Sequence, residues 1–410
     1  MGSNLSKKNK KNKKNLHNQN KENISKDTNS PNNKTNNIKD NEYLKNNKND
    51  ENEKLKNNNE NIEEYKDGKE KSNEVLNNNS SINSKSKIFG YEFIRNIATD
   101  SYSYGVDCTM IIFKSINDIL YFIYTNKYKS IISYNLINNQ KINEIKKAHD
   151  STITNFRHYL YKDKKQDLVF STSLNNNLKL WRIDNWECLL NITLIYKIGK
   201  LWSACFLILK NQYYFLTSNY YGSEPIIVFN SNGIKIKEIN NSKDKINYID
   251  IYYENHNSKI YILTGNKGFV KSYDYNNNKV YHIYNDNDKS NHFSLRIKIE
   301  NNLIKLIESS QDRNIRIWNF HTGELLNKIY ISNKHLYGIC LWNNDYLFVG
   351  CDDNTIKIVD IKKAKVIDNI TGHDNSILVL AKVNIPKYGE CLISQENDKL
   401  TKLWKIKLNN

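Results

Sequence analysis

Ile315-Arg316-Ile317-Trp318-Asn319-Phe320 and, near the end of the chain, Thr401-Lys402-Leu403-Trp404-Lys405-Ile406 share one pattern: apolar or Thr, any residue, apolar, aromatic, polar, apolar. The pattern returns at 131–136, 178–183, 226–231, 270–275 and 356–361. Its fourth residues are Tyr134, Trp181, Phe229, Tyr273, Trp318, Val359 and Trp404, at intervals of 47, 48, 44, 45, 41 and 45. Alternation within each stretch is that of a strand with one side buried. A period of about 45 residues is the length of one four-stranded antiparallel unit.

Working outward from these stretches, the chain divides near residue 88. Residues 1–87 hold 26 Asn and 19 Lys, with few large apolar side chains. Such a segment cannot bury enough apolar surface to offset its ordering entropy, so 1–87 is read as a disordered Asn/Lys-rich tail. From 88 to 410, β-branched and aromatic residues dominate; Tyr is abundant at 28 and Pro rare at 3. That is strand chemistry, and roughly 320 residues are ample for a sizeable core.

Charge and cysteine usage narrow the function. The net charge is +17, spread rather than blocked along the folded part, without a basic-aromatic stripe in the sequence. Nucleic acid is therefore not the expected partner. The six Cys (108, 188, 205, 340, 351 and 391) form no C-x-x-C pair and sit near no His at metal-ligand spacing. They read as free thiols buried in strands, with no metal and no cofactor. No run of about 18 apolar residues is present to form a transmembrane helix.

The repeated stretches, with their flanks, resemble the WD-repeat (WD40) family over roughly residues 90–410. Gln311-Asp312-Arg313-Asn314, Asp352-Asp353-Asn354-Thr355 and Asn397-Asp398-Lys399-Leu400 match its Asp-bearing turn before the third strand. Thr371-Gly372-His373-Asp374 matches its Gly-His blade opening, with a degenerate copy at Ala148-His149-Asp150; His292 and His335 occupy comparable positions. The resemblance implies an all-β fold, a β-propeller of four-stranded antiparallel blades. Seven motifs favour seven blades, with eight as the alternative. The last motif ends four residues from the C-terminus, so 91–97 is expected to supply the outer strand of the last blade and close the ring.

The resemblance also implies buried hydrogen-bond chains of His, Ser, Asp and Trp. The fullest would join His373, Ser394, Asp398 and Trp404. A second would join His292, Asp312 and Trp318 through Ser309 or Ser310. Asp353 holds the turn position in its own blade, and His149 with Trp181 faces Asn175 in place of Asp. His, Ser and Asp together invite a catalytic-triad reading. Recurrence of the set at blade spacing argues for structural cement instead, and no enzyme is expected.

The chain opens Met1-Gly2-Ser3-Asn4-Leu5-Ser6, an N-myristoylation signal with Gly2 as the acceptor. Lys7, Lys8, Lys10, Lys11, Lys13 and Lys14 follow, before any acidic residue. One myristoyl chain binds a bilayer with K on the order of 10⁴ M⁻¹. Each lysine near an anionic leaflet adds about 1 kcal/mol. Together they predict peripheral attachment to the cytosolic face of a membrane, with the propeller on a leash of roughly 45–50 Å root-mean-square span.

Two function classes remain. One is a membrane-tethered protein-interaction scaffold; the other is a soluble subunit of a nuclear or RNA-associated complex whose basic tail contacts nucleic acid. Trp202, Tyr220 and Tyr221 are candidate partner-binding residues because aromatics anchor interfaces. Packing between blades is the competing reading for Trp202. Trp186 and Trp342 read as packing residues.

Overall fold

The computed structural model describes residues 89–103, 105, 109–194, 200–219, 221–222, 225–239, 244–254, 258–343 and 345–408. Gly2, the lysines from Lys7 to Lys14, Cys108 and Tyr220 lie outside the described residues.

Seven four-stranded antiparallel sheets form, six of them meanders in sequence order. Blades 1 to 6 comprise residues 110–145, 153–193, 201–239, 246–284, 292–330 and 336–370. Blade 7 takes three strands from 377–408 and its outer strand, Phe89–Tyr102, from the other end of the chain. Phe89 pairs with Leu408, Tyr91 with Ile406 and Phe93 with Trp404. The closing strand thus runs past the expected 91–97 to Tyr102, and an isolated bridge from Ser101 to Asn126 ties it to blade 1. The single helical turn among the described residues is a 3₁₀ turn at Lys162–Lys164.

The repeat has a mechanical meaning. In every blade the pairing of third and outer strands slips at the fourth motif residue: next to Tyr134, Trp181, Phe229, Tyr273, Trp318, Val359 and Trp404. A bulge bends the strand and increases its twist, which a propeller blade needs to splay from axis to rim.

There is no single core. Seven apolar layers form, one between each pair of adjacent blades. The period-two alternation of a strand feeds two layers at once. Leu178 and Leu180 face blade 3, whereas Trp181 and Ile183 face blade 1. Phe89 joins the layer between blades 6 and 7, its ring edge-on to Tyr346 at 4.8 Å and to Phe348 at 5.8 Å. The cysteines divide: Cys205, Cys340, Cys351 and Cys391 are buried, but Cys188 is exposed on the outer strand of blade 2, a correction to the expectation of buried thiols. Outer strands have a solvent face, which the middle strands lack.

Candidate interaction face

Because each blade is an antiparallel meander, the turn between its second and third strands lies at the same end as the loop into the next blade. This turn end carries the residues singled out by the sequence.

In blade 7, the Trp404 indole donates to Ser394 Oγ at 2.7 Å, and Ser394 Oγ lies 2.7 Å from His373 Nε2. His373 Nδ1 lies 3.0 Å from Glu396 Oε2. One tautomer satisfies every member: Nδ1–H donates to the carboxylate and Nε2 accepts from the serine. The carboxylate is Glu396, not Asp398. The turn here is so short that Asp398 already opens the third strand, opposite Tyr102, and its side chain is exposed. Glu396, two residues earlier, has the extra methylene to reach the ring.

Blade 2 builds a chain as complete. Trp181 donates to Ser171 Oγ at 2.9 Å, and His149 Nε2 lies 2.7 Å from the same oxygen. Asn175 does not face the histidine; Ser173 stands between, 3.0 Å from His149 Nδ1 and donating to Asn175 Oδ1 at 2.7 Å. Burial first, then the nearby Lys179, pushes His149 down to about 3, so it is neutral.

Blade 5 departs most from expectation. Glu308 stands where blades 2 and 7 have serine; it accepts from the Trp318 indole at 3.4 Å and is hydrogen-bonded to His292 Nδ1. Burial works against a charge on His292, but the Glu308 carboxylate wins and raises its pKa. Asp312 does not touch the histidine. It pairs with Arg316, which is fully buried and also donates to Asp286 Oδ2 at 2.8 Å. Ser309 donates to the Tyr337 carbonyl in blade 6, and Ser310 donates at 2.9 Å to Asp288 Oδ2, which lies 3.4 Å from His292 Nε2, so Ser310 reaches the histidine only through that carboxylate. In blade 6, Asp353 accepts from Ser332 at 2.9 Å and pairs with Lys357 at 2.9 Å, while His335 meets the Gln311 carbonyl at 2.6 Å.

A second device escaped the sequence reading. The second motif position is basic in five blades, and each such side chain rises to the turn end. Lys179 donates to Ala148 O at 2.7 Å and Lys402 to Gly372 O; Lys271 pairs with Asp244 at 2.6 Å. Arg316 and Lys357 do the same with Asp286 and Asp353. The signal lies in the motif itself, at the second position, where the pattern admits any residue.

Of the candidate partner-binding residues, half-buried Trp202 donates to Asn247 O at 3.1 Å and fastens blade 3 to blade 4. Tyr221 is exposed. Beside it Gly222, at φ 69°, presses on the loop into blade 4; a Cβ there would lie 2.6 Å from the backbone carbon of Asp244. Ser171 and Ser394 are fully buried with their hydroxyls already engaged, which is the geometry of cement.

No family model matches the chain. A stretch of 101 residues, 25% of the chain, is 26% identical to the U3 small nucleolar RNA-associated protein 21 homolog of Schizosaccharomyces pombe. The match spans 11% of that protein's length. The seven four-stranded blades make the fold a β-propeller, the fold that the WD-repeat resemblance implied.

Proposed function

We propose that the chain is a non-catalytic protein-interaction scaffold, held at the cytosolic face of a membrane by an acyl group on Gly2 and the lysines from Lys7 to Lys14. The ring supports the scaffold reading: a rigid frame of seven blades presents turns and loops at both ends. The tether rests on Met1-Gly2-Ser3-Asn4-Leu5-Ser6 and the six lysines that follow. Metabolic labelling with an alkynyl myristate tests it. Label and membrane sedimentation are both expected to disappear in Gly2→Ala; a Gly2→Ala protein that still sediments with membranes removes the tether.

A second reading has its own support. The similarity to a small nucleolar RNA-associated protein favours a soluble subunit of an RNA-containing assembly. RNA recovered with the chain after crosslinking in cells, unchanged by Gly2→Ala, would decide for this reading.

A further inference from the structure

Charge is divided unevenly around the turn end. From the turn of blade 1 (126–130) to the turn of blade 4 (267–269), blade 1 contributes Lys127, Lys129, Lys146 and Lys147, and later loops add Lys200, Lys245 and Lys267. Against these seven lysines the described residues of the same turns and loops hold two acids, Asp150 and Asp244, and Asp244 is held by Lys271. The remaining sector differs. Its turns and loops carry Asp286, Asp288, Asp312, Asp352, Asp353 and Asp374, with Asp398 at the last turn, against Lys289, Arg313, Lys334 and Lys399. Arg316 pairs with Asp286, Asp288 and Asp312, and Lys357 with Asp353, so this sector has no excess of positive charge.

The basic sector is physically assembled. Ile131 pairs with Ile145, so Lys129 and Lys147 stand two residues beyond the same rung, and Lys129 donates to Asp150 O at 2.7 Å. Asp100, on the closing strand beside this turn, accepts from Tyr124 and Asn126 at 2.8 and 3.0 Å. Burial first, then the neighbouring Lys267, lowers the Lys245 pKa, as gathered positive charge should. Two exposed aromatics stand on the same arc: Tyr128, at 65% exposure with the Lys127 ammonium 5.4 Å from its ring, and Tyr221, at 58%.

We infer that the turn end of blades 1 to 4 is a docking arc for single-stranded RNA, with the lysines on phosphates and Tyr128 and Tyr221 as stacking platforms. Lysine-lined tracks with interspersed aromatic rings are how single strands are held without sequence readout. A flat anionic membrane laid on this end would meet the acidic sector as well as the basic one, whereas a strand can follow the arc alone. The inference rests on the RNA-associated reading above and locates the contact on the ring rather than on the tail.

The test uses the full chain and a fluorescein-labelled oligouridylate. The charge-swap protein Lys127→Glu/Lys146→Glu/Lys147→Glu/Lys267→Glu is expected to bind at least about tenfold more weakly, with a salt slope shallower by about 3. Tyr128→Ala/Tyr221→Ala should weaken binding about tenfold with the slope unchanged. Circular dichroism and melting confirm that each variant is folded. Lys289→Glu/Lys334→Glu, in the acidic sector, should bind within about twofold of wild type. Wild-type affinity in the charge-swap protein overturns the inference. So does an equal loss in the Lys289/Lys334 control, tighter binding to polyglutamate than to the oligouridylate, or a charge-swap loss on anionic vesicles as large as the loss on the oligouridylate. If RNA is still crosslinked to the charge-swap protein in cells while its affinity matches wild type, the RNA-associated reading stands and the arc falls.

Discussion

Glu308 and Arg316 face each other on the second and third strands of blade 5, both fully buried, with Oε1 and Nη1 3.7 Å apart. The same register position holds Ser171 and Lys179 in blade 2, and Ser394 and Lys402 in blade 7. Where the second-strand hydroxyl has become a carboxylate, the third-strand lysine has become an arginine. The exchange is physically coherent. Arginine offers five donors in a planar fork, enough to serve Asp286, Asp312 and Glu308 together.

This predicts asymmetric costs. Burial alone would raise the Asp286 carboxyl, yet Arg316 and Lys328 hold it down at about 2. Arg316→Met strands buried carboxylates without their cation and should cost about 3–5 kcal/mol. The double variant Glu308→Ser/Arg316→Lys rebuilds the pair of blade 2 and should cost clearly less. Urea midpoints followed by circular dichroism compare the two; equal losses would mean that Arg316 acts only by filling space.

Ser394 serves two partners at once, Trp404 and His373. Ser394→Ala leaves a buried indole N–H and an imidazole nitrogen unsatisfied, a loss of about 1–3 kcal/mol. The indole proton resonance of Trp404 should shift upfield in the variant. An unmoved resonance and an unchanged melting temperature would show that water replaces the hydroxyl.

The histidines make stability depend on pH in opposite directions. His149 is held at about 3 in the folded chain, so between there and its ordinary value near 6.5 the unfolded chain binds the extra proton. Stability from this group is present above about 6.5 and is lost as pH falls, by about 2 kcal/mol at pH 5. His158 and His373 are also lowered, each first by burial, and act in the same sense. His292 is raised, so its contribution is full below pH 6.5 and fades as pH rises through its folded value. Three depressed groups against one raised group predict a net fall in urea midpoint from pH 7 to pH 5. His149→Gln should show a smaller fall than wild type; an equal fall would exclude His149 as a contributor.

Ring closure rests on a strand far from its blade in sequence. Phe89→Ala removes a fully buried ring from the layer against Tyr346 and Phe348 and should cost about 3–5 kcal/mol. A chain beginning at Thr109 lacks the outer strand of blade 7 and bares the edge of 398–408. It should elute from gel filtration as aggregate. A monomeric, cooperatively melting product would show that the ring holds without this strand.

Much of the fold was legible because its information is local. Tyr134, Trp181 and the other fourth residues sit inside six-residue stretches whose alternation can be read directly, and the missing last strand could be counted. The chemistry at the turn end was legible only in part. His373, Ser394 and Trp404 are joined in one hydrogen-bonded chain, but Ser173 stands between His149 and Asn175, the acid on His373 is Glu396, and Asp312 belongs to Arg316. Choosing between acids two residues apart depends on where a turn ends and on one methylene of reach, which spacing does not specify.

The sequence by itself determined a series of strand-forming repeats of about 45 residues, because strand period and repeat length are properties of neighbouring residues; the ring and its closure were implied by the WD-repeat resemblance and are what the structure shows. Only the tertiary structure decided that a guanidinium lies fully buried among carboxylates in blade 5, and that lysines from separate turns gather on one arc while aspartates gather on the rest. Side chains far apart in the chain become neighbours when the blades stack in a circle, as where Thr109 donates to Gln395 at 3.0 Å. Electrostatic energy depends on that distance in space, not on position along the chain.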